Sequence, residues 1–225
     1  DVREKIALFC SVPVEAVIEA PDVDSIYAVP LMLHRGGLDR LVLEQLGLNG
    51  GRSLDLAPWD RLVRSIREAT EEVTIAICGK YTHLQDAYKS IVESFIHAGA
   101  ANGVRVAIRW IESEELQGPE AQLGVVDGIL VPGGFGERGI EGKVAAARYA
   151  REKGVPFFGI CLGLQCAVID FARHRAGLEG ANSTEIDRET PHPVIDLLPG
   201  QTHAGAKGGT MRLGSYRCRL APGSR

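Results

Sequence analysis

From Glu72 onward the chain alternates short apolar or β-branched runs with amphipathic stretches of helical length, and few folds accept that rhythm. Val73 to Cys78 is such a run and stops at Gly79. Asp86 opens a helical segment with Ile91, Val92, Phe95 and Ile96 on its apolar positions, closing near Gly99 to Gly103. Val104 to Ile111 alternates like a strand, and Gly128 to Val131 is fully apolar. Val144 to Arg151 reads as a helix ended by Gly154, and Pro156 to Ile160 as a strand running directly into Cys161. Leu162 to Arg173 is again helical, with Gly177 just beyond. Strands alternating with helices of about 10–15 residues predict an α/β fold, an open, mostly parallel sheet with helices on both faces. Ligands of such sheets gather at the carboxyl ends of the strands. No repeat of about 20–50 residues interrupts the pattern.

The part before Glu72 lacks this rhythm. Pro13 separates Ile6–Cys10 from Val14–Ile18, and Asp22 to Tyr27 then runs to Pro30. A helical pattern follows on Leu38, Leu41, Val42, Gln45 and Leu46, bounded by Gly36-Gly37 and Gly47, with a turn signal at Asn49-Gly50-Gly51. We read residues 1–58 as the end of a larger domain, 59–72 as a connecting helix, and 73–225 as a second domain. The 225 residues are 45% hydrophobic and 24% charged, which excludes intrinsic disorder. A net charge of −4 gives no broad footprint for nucleic acid or an anionic membrane. No stretch approaches 18 apolar residues and the start is no signal peptide. The five cysteines lack a Cys-x-x-Cys pair, so neither a disulfide scaffold nor a structural zinc site is expected, and no metal ligands are assigned. These readings predict a reduced, cytoplasmic protein.

Chemistry concentrates at Gly159-Ile160-Cys161-Leu162-Gly163, a nucleophile elbow between strand and helix with cysteine in the serine position. The flanking glycines permit a strained turn, and the helix N-terminus favours a thiolate. An ordinary thiol with a pKa near 8.5 is only about 3% ionised at pH 7, so that environment matters. Cys10, Cys78, Cys166 and Cys218 lack such a setting and read as structural. Val131 to Gly136 ends another apolar strand with a bare glycine loop, whose N–H groups together with that of Leu162 would make a two-donor oxyanion hole. A tight turn or a phosphate loop explains the same glycines; their position two elements before the elbow favours the oxyanion hole. Gln165 stands one helical turn after Cys161, able to reach a substrate or merely solvated. Glu185, in a polar loop, offers a carboxylate that taken alone is an ordinary surface acid.

Together these residues resemble the class I (triad-type) glutamine amidotransferase domain and, more closely, the CTP synthase family. The resemblance is carried by Gly79-Lys80-Tyr81, Asp86 to Ser90, Pro132 to Lys143, Gly159 to Gln165, Ala181 to Glu185 and Gly208 to Gly214. Asp22 to Tyr27 and Gly37-Leu38-Asp39 resemble the end of that family's synthetase domain. The likeness implies a flavodoxin-like amidotransferase fold and ATP-dependent conversion of UTP to CTP with ammonia taken from glutamine. Cys161 would form the thioester, with Gly134 and Leu162 as oxyanion donors. Gly134, Leu162, Gly163, Leu164, Gln165 and Glu185 would hold the glutamine, Glu185 through its α-ammonium group. Asp22 and Val23 would touch ATP; magnesium accompanies ATP in the family, with ligands outside this chain. GTP is the activator, with Lys89, Arg138 and the Thr210–Leu213 loop containing Arg212 as candidates. A homotetramer is implied.

Two departures stand against the family pattern. The His-Pro-Glu motif that activates the cysteine is absent; His192-Pro193-Val194 belongs to another segment, and none of His34, His83, His97, His174 or His203 is assigned as base. The synthetase phosphate loop is absent as well. The chain therefore reads as an internal fragment or a retained part of a longer chain, expected by itself to make no CTP and to hydrolyse glutamine poorly or not at all. The other readings are a class I glutaminase serving a different acceptor and a non-catalytic scaffold lacking the triad base.

Overall fold

The computed structural model describes residues 1–48, 54–197, 217 and 219–223. The expected turn at Asn49-Gly50-Gly51, His203, the Thr210–Leu213 loop with Arg212, and Cys218 lie outside the described residues. The chain divides into two compact units, one of residues 1–71 with 94–105, the other of 72–93 with 106–225.

In the first unit, α1 (Val2–Cys10) starts from a capping box in which Asp1 and Glu4 satisfy each other's backbone N–H groups. Then come α2 (Val29–Arg35) and α3 (Leu38–Gln45), the latter entered through Gly37 at φ +79°. The helix between the two sequence regions is α4 (Ala57–Glu68), a turn shorter at its end than the periodicity suggested. Glu71 already belongs to a strand. A small core of Ala28, Leu31 and Val63 is covered by Tyr27, Leu56 and Trp59. Trp59 Nε1 donates to the Tyr27 carbonyl at 2.8 Å, so the indole N–H is satisfied.

The strand β1 (Glu71–Gly79) is followed by a 3₁₀ turn at Gln85–Tyr88 and by α5 (Lys89–Asn102), so the helix opens three residues after Asp86. Next come β2 (Val104–Glu112), α6 (Pro119–Leu123) and β3 (Gly128–Val131). Then α7 (Ile140–Lys153), β4 (Phe157–Gly159) and α8 (Leu162–His174) complete the alternation. The chain goes on through a small parallel pair, β5 (Asn182–Ser183) and β6 (Pro193–Ile195).

The main sheet has the order β2-β1-β3-β4, and its β1–β3 and β3–β4 pairs are parallel. The expected parallel sheet flanked by helices is therefore present. Its strands are apolar because they are covered by helices, and the core joins Ala76, Cys78, Ile129 and Val131 to Ala146, Tyr149 and Ala150 of α7. The chain leaves β1 towards β2 on one side and returns to β3 on the other, which makes the crevice between the carboxyl ends of β1 and β3 a topological switch point.

Helix α7 begins one turn earlier than Val144. Gly139, at φ +71°, turns the chain into it, and Gly142 packs so closely that a methyl there would overlap the Ser113 carbonyl oxygen. A glycine chosen for contact hides helical propensity in the sequence.

Candidate active site

Parallel register places three loops at one end of the sheet. Val131 of β3 pairs with Gly159 of β4, so both strands end at the same level. The Ile160 N–H then donates to the Val131 carbonyl at 2.9 Å, extending the contact one step past the strand. The following residue, Cys161, takes φ +51° and ψ −107°, a conformation that L-residues rarely adopt and that costs on the order of 1–3 kcal/mol. The turn is tight enough that a Cβ on Gly159 would sit 2.5 Å from the Gly163 carbonyl carbon and the Leu164 nitrogen. A Cβ on Gly163 would overlap the Val131 carbonyl oxygen. Both glycines of the elbow are thus steric requirements.

Cys161 is the N-cap of α8 and is exposed. In the first turn, Gly163 N–H donates to Ile160 O at 2.9 Å and Gln165 N–H to Cys161 O at 3.1 Å. Leu162, as the first helical residue, has an N–H with no intrahelical acceptor. Its side chain is buried with Ile140, Val144, Cys166 and Ile169, which fixes that N–H beside the cysteine. Leu164 is exposed and Gln165 half-buried.

The glycine loop after β3 lies against this corner. A Cβ on Gly133 would be 3.5 Å from the Cys161 Cβ and 3.7 Å from the Ile160 carbonyl oxygen. A Cβ on Gly134 would be 3.6 Å from Leu162 Cδ2 and 3.9 Å from Lys143 Nζ. Lys143 is 1% exposed, and burial first, then the Lys80 charge, holds its ammonium below the ordinary lysine value. Lys80 is also held low, by burial and then by Arg138, against the opposing pull of Glu114, Cys166 and Glu185.

Glu185 is positioned by the β5–β6 pair. Thr184 N–H donates to Ile195 O at 3.0 Å and Glu185 N–H to Ser183 Oγ at 3.2 Å. Among the described residues its buried Oε1 has no hydrogen-bond partner, an acceptor suited to a cation. Composition hid this feature, because only the fold desolvates that oxygen.

The remaining expected residues are elsewhere. Arg138 is exposed in the loop before α7, pairs with Glu114 at 3.2 Å and stacks its guanidinium 4.9 Å from the Tyr81 ring centroid. Lys89 opens α5, and its ion pair with Glu93 at 2.9 Å raises its ammonium above the usual value. Asp22 and Val23 are exposed in the first unit. Cys78 and Cys166 are fully buried, and burial pushes their thiols up to about 12 and about 11, as expected of structural cysteines. Among the described residues no group of three or more His, Cys, Asp or Glu side chains could hold a metal ion. No described helix is long and apolar enough to cross a membrane.

The buried charges beside the glycine loop that sequence reasoning missed are Lys80 and Lys143. Both stood inside the motifs quoted for the family likeness, yet nothing marked either as buried.

The chain is similar in sequence and fold to known proteins. Residues 83–225 match the family model for glutamine amidotransferase class-I, and residues 1–48 match that for the CTP synthase N-terminus. The CTP synthase of Moorella thermoacetica is 58% identical over the whole chain, and that of Rubrobacter xylanophilus 56%. The chain spans 42% and 41% of the length of these two relatives. A solved structure, the glutaminase domain of Trypanosoma brucei CTPS with bound acivicin, is 44% identical, with a TM-score of 0.51 over 56% of this chain and 50% of that one.

Proposed function

The chain belongs to the glutamine amidotransferase class-I family, and on that premise we propose that it is the glutaminase portion, with the end of the synthetase portion, of a CTP synthase. The observation that carries the reading is the exposed Cys161 thiol on a strained helix N-cap, with the Gly133-Gly134 backbone beside it.

In the proposed reaction the Cys161 sulfur attacks the side-chain carbonyl carbon of glutamine. The oxygen gains negative charge and is met by the N–H groups of Gly134 and Leu162. The C–N bond then breaks, ammonia departs with an added proton, and a thioester remains, which water hydrolyses to glutamate and free thiol. Covalent catalysis divides one difficult amide hydrolysis into two easier acyl transfers. Each oxyanion donor is worth about 3–4 kcal/mol in the transition state. The buried Glu185 oxygen, without a hydrogen-bond partner among the described residues, suits the α-ammonium of the substrate, and Gly163, Leu164 and Gln165 shape the remainder of its site. No histidine of this chain is assigned as base.

Ammonia would go to UTP, whose 4-oxygen ATP activates in the synthetase portion. Asp22 and Val23 are the candidates here for contact with ATP, largely through the main chain, and magnesium is left to residues outside this chain. GTP would activate hydrolysis through Arg138, Lys89 and Arg212, the last outside the described residues. A cytoplasmic homotetramer is the proposed form.

The test is to treat the full-length protein with a glutamine-derived electrophile, map the adduct, and measure ammonia release. Labelling of Cys161, with release abolished in Cys161→Ala, is expected. An adduct on another cysteine with Cys161 untouched overturns the assignment. Measuring which nucleotide accepts the ammonia separates UTP from any other acceptor.

A further inference from the structure

The crevice between β1 and β3 is bridged by a side chain that amide cleavage, as described, leaves unused. Lys80 is the first residue after β1 and is buried. Its Nζ donates to the Phe135 carbonyl at 2.9 Å and to the Gly136 carbonyl at 3.4 Å. Those carbonyls belong to the loop whose preceding peptides, at Gly133 and Gly134, lie beside Cys161 and Leu162. Two consecutive glycines have the widest torsional freedom of any pair, so their own residues do little to fix which way the peptides face. In a trans peptide the N–H and C=O point in opposite directions, and a flip would present a carbonyl where a donor is needed. A restraint from outside the loop is required, and Lys80 holds the loop immediately downstream.

Lys80 is anchored in turn. The buried Tyr88 hydroxyl donates to the Lys80 carbonyl. A Cβ on the preceding residue, Gly79, would meet Tyr88 Oη at 2.6 Å and Pro132 Cγ at 3.1 Å, so the ends of β1 and β3 and the Gln85–Tyr88 turn pack as one piece. Burying an ammonium is unfavourable unless its donors are used, and here they are used on the loop's backbone.

We propose that Lys80 is a positioning residue for the glycine loop, holding the Gly133-Gly134 peptides with their N–H groups toward Cys161, and that Tyr88 anchors Lys80 for that task. The inference rests on the reading of Cys161 as the amide-cleaving nucleophile.

The experiment compares full-length wild type, Lys80→Met, Lys80→Arg and Tyr88→Phe in glutamine hydrolysis. Alkylation of Cys161 by iodoacetamide, which needs no oxyanion hole, and thermal melting are measured alongside. For Lys80→Met, kcat falls at least about tenfold with KM changed by no more than about twofold, in line with loss of transition-state stabilisation. Its Cys161 alkylation rate and melting temperature stay near wild type. Lys80→Arg recovers part of kcat, since a guanidinium also donates, and Tyr88→Phe loses about threefold. An unchanged kcat in Lys80→Met, a rise in KM alone, or an equal fall in alkylation overturns the proposal. Should Lys80→Met fail to fold, Lys80→Arg and Tyr88→Phe decide, and wild-type kcat in both overturns it. A wild type that releases no ammonia overturns this proposal and the reading beneath it, whereas an active wild type with an unaffected Lys80→Met overturns this one alone.

Discussion

At residue 161 the backbone holds a positive φ in a turn that side chains at positions 159 and 163 would prevent, because Gly159 and Gly163 lie against main-chain atoms across it. Gly163→Ala pushes a methyl into the Val131 carbonyl, which cannot move without disturbing the β3–β4 ladder. We expect it to lower stability by at least about 2 kcal/mol in urea unfolding, with glutamine hydrolysis lost in parallel. Thiol chemistry at this scale separates function from packing. Near pH 8, iodoacetamide should modify the exposed Cys161 and Cys10. Cys78 and Cys166, held mostly neutral by burial, should react only after denaturation. Equal labelling of the buried pair, read by mass spectrometry, would contradict that. The elbow was legible in sequence because its local requirements, an apolar strand, two small residues and a helix start, all act within a few residues. The buried oxygen of Glu185 was not, since desolvation of a carboxylate depends on groups that the fold brings from elsewhere in the chain.

Two helices carry most of the support behind the elbow. Asp170 of α8 is 2% exposed and accepts from Arg151 Nε at 2.8 Å and Nη2 at 3.2 Å on α7, and it pairs with His174 Nδ1 at 2.9 Å. Removing the carboxylate takes both hydrogen bonds from the partly covered guanidinium and leaves it only the looser pair with Glu152 at 3.7 Å. Asp170→Ala is expected to cost about 3 kcal/mol in chemical denaturation, and Asp170→Asn less. Helix α7 also carries Lys143, whose ammonium is disfavoured by burial and then by Lys80. Between that lowered pKa and about 10.5 the unfolded chain binds more protons than the folded one, so this lysine makes stability rise with pH across that window. Lys143→Met is therefore expected to be the more stable protein near neutral pH, with its advantage shrinking as pH climbs toward about 10. A gap that stays constant with pH would refute this. Amphipathic periodicity revealed both helices, although the start of α7 was masked by Gly142, whose contact with Ser113 outweighs its poor propensity.

At the scale of the molecule, the first unit takes residues 94–105 from the middle of the sequence together with 1–71. Tyr27 Oη lies 2.7 Å from His97 Nε2, with the rings edge to face at 5.3 Å. A chain begun at residue 73 would leave His97 without this cover. It is expected to melt below the 225-residue chain, by about 2–4 °C for each kcal/mol lost, as differential scanning calorimetry would show. An unchanged melting temperature would mean that the cover of His97 by Tyr27 adds nothing to stability. The linear sequence alone determined the order of strands and helices, the α/β class and the cysteine corner, since each follows from local periodicity and small residues at a turn. Only the tertiary structure decided which distant groups face that corner. Burial of Lys80, Lys143 and one oxygen of Glu185 arises where the carboxyl ends of separate strands converge, and desolvation of a charge depends on neighbours far away in sequence.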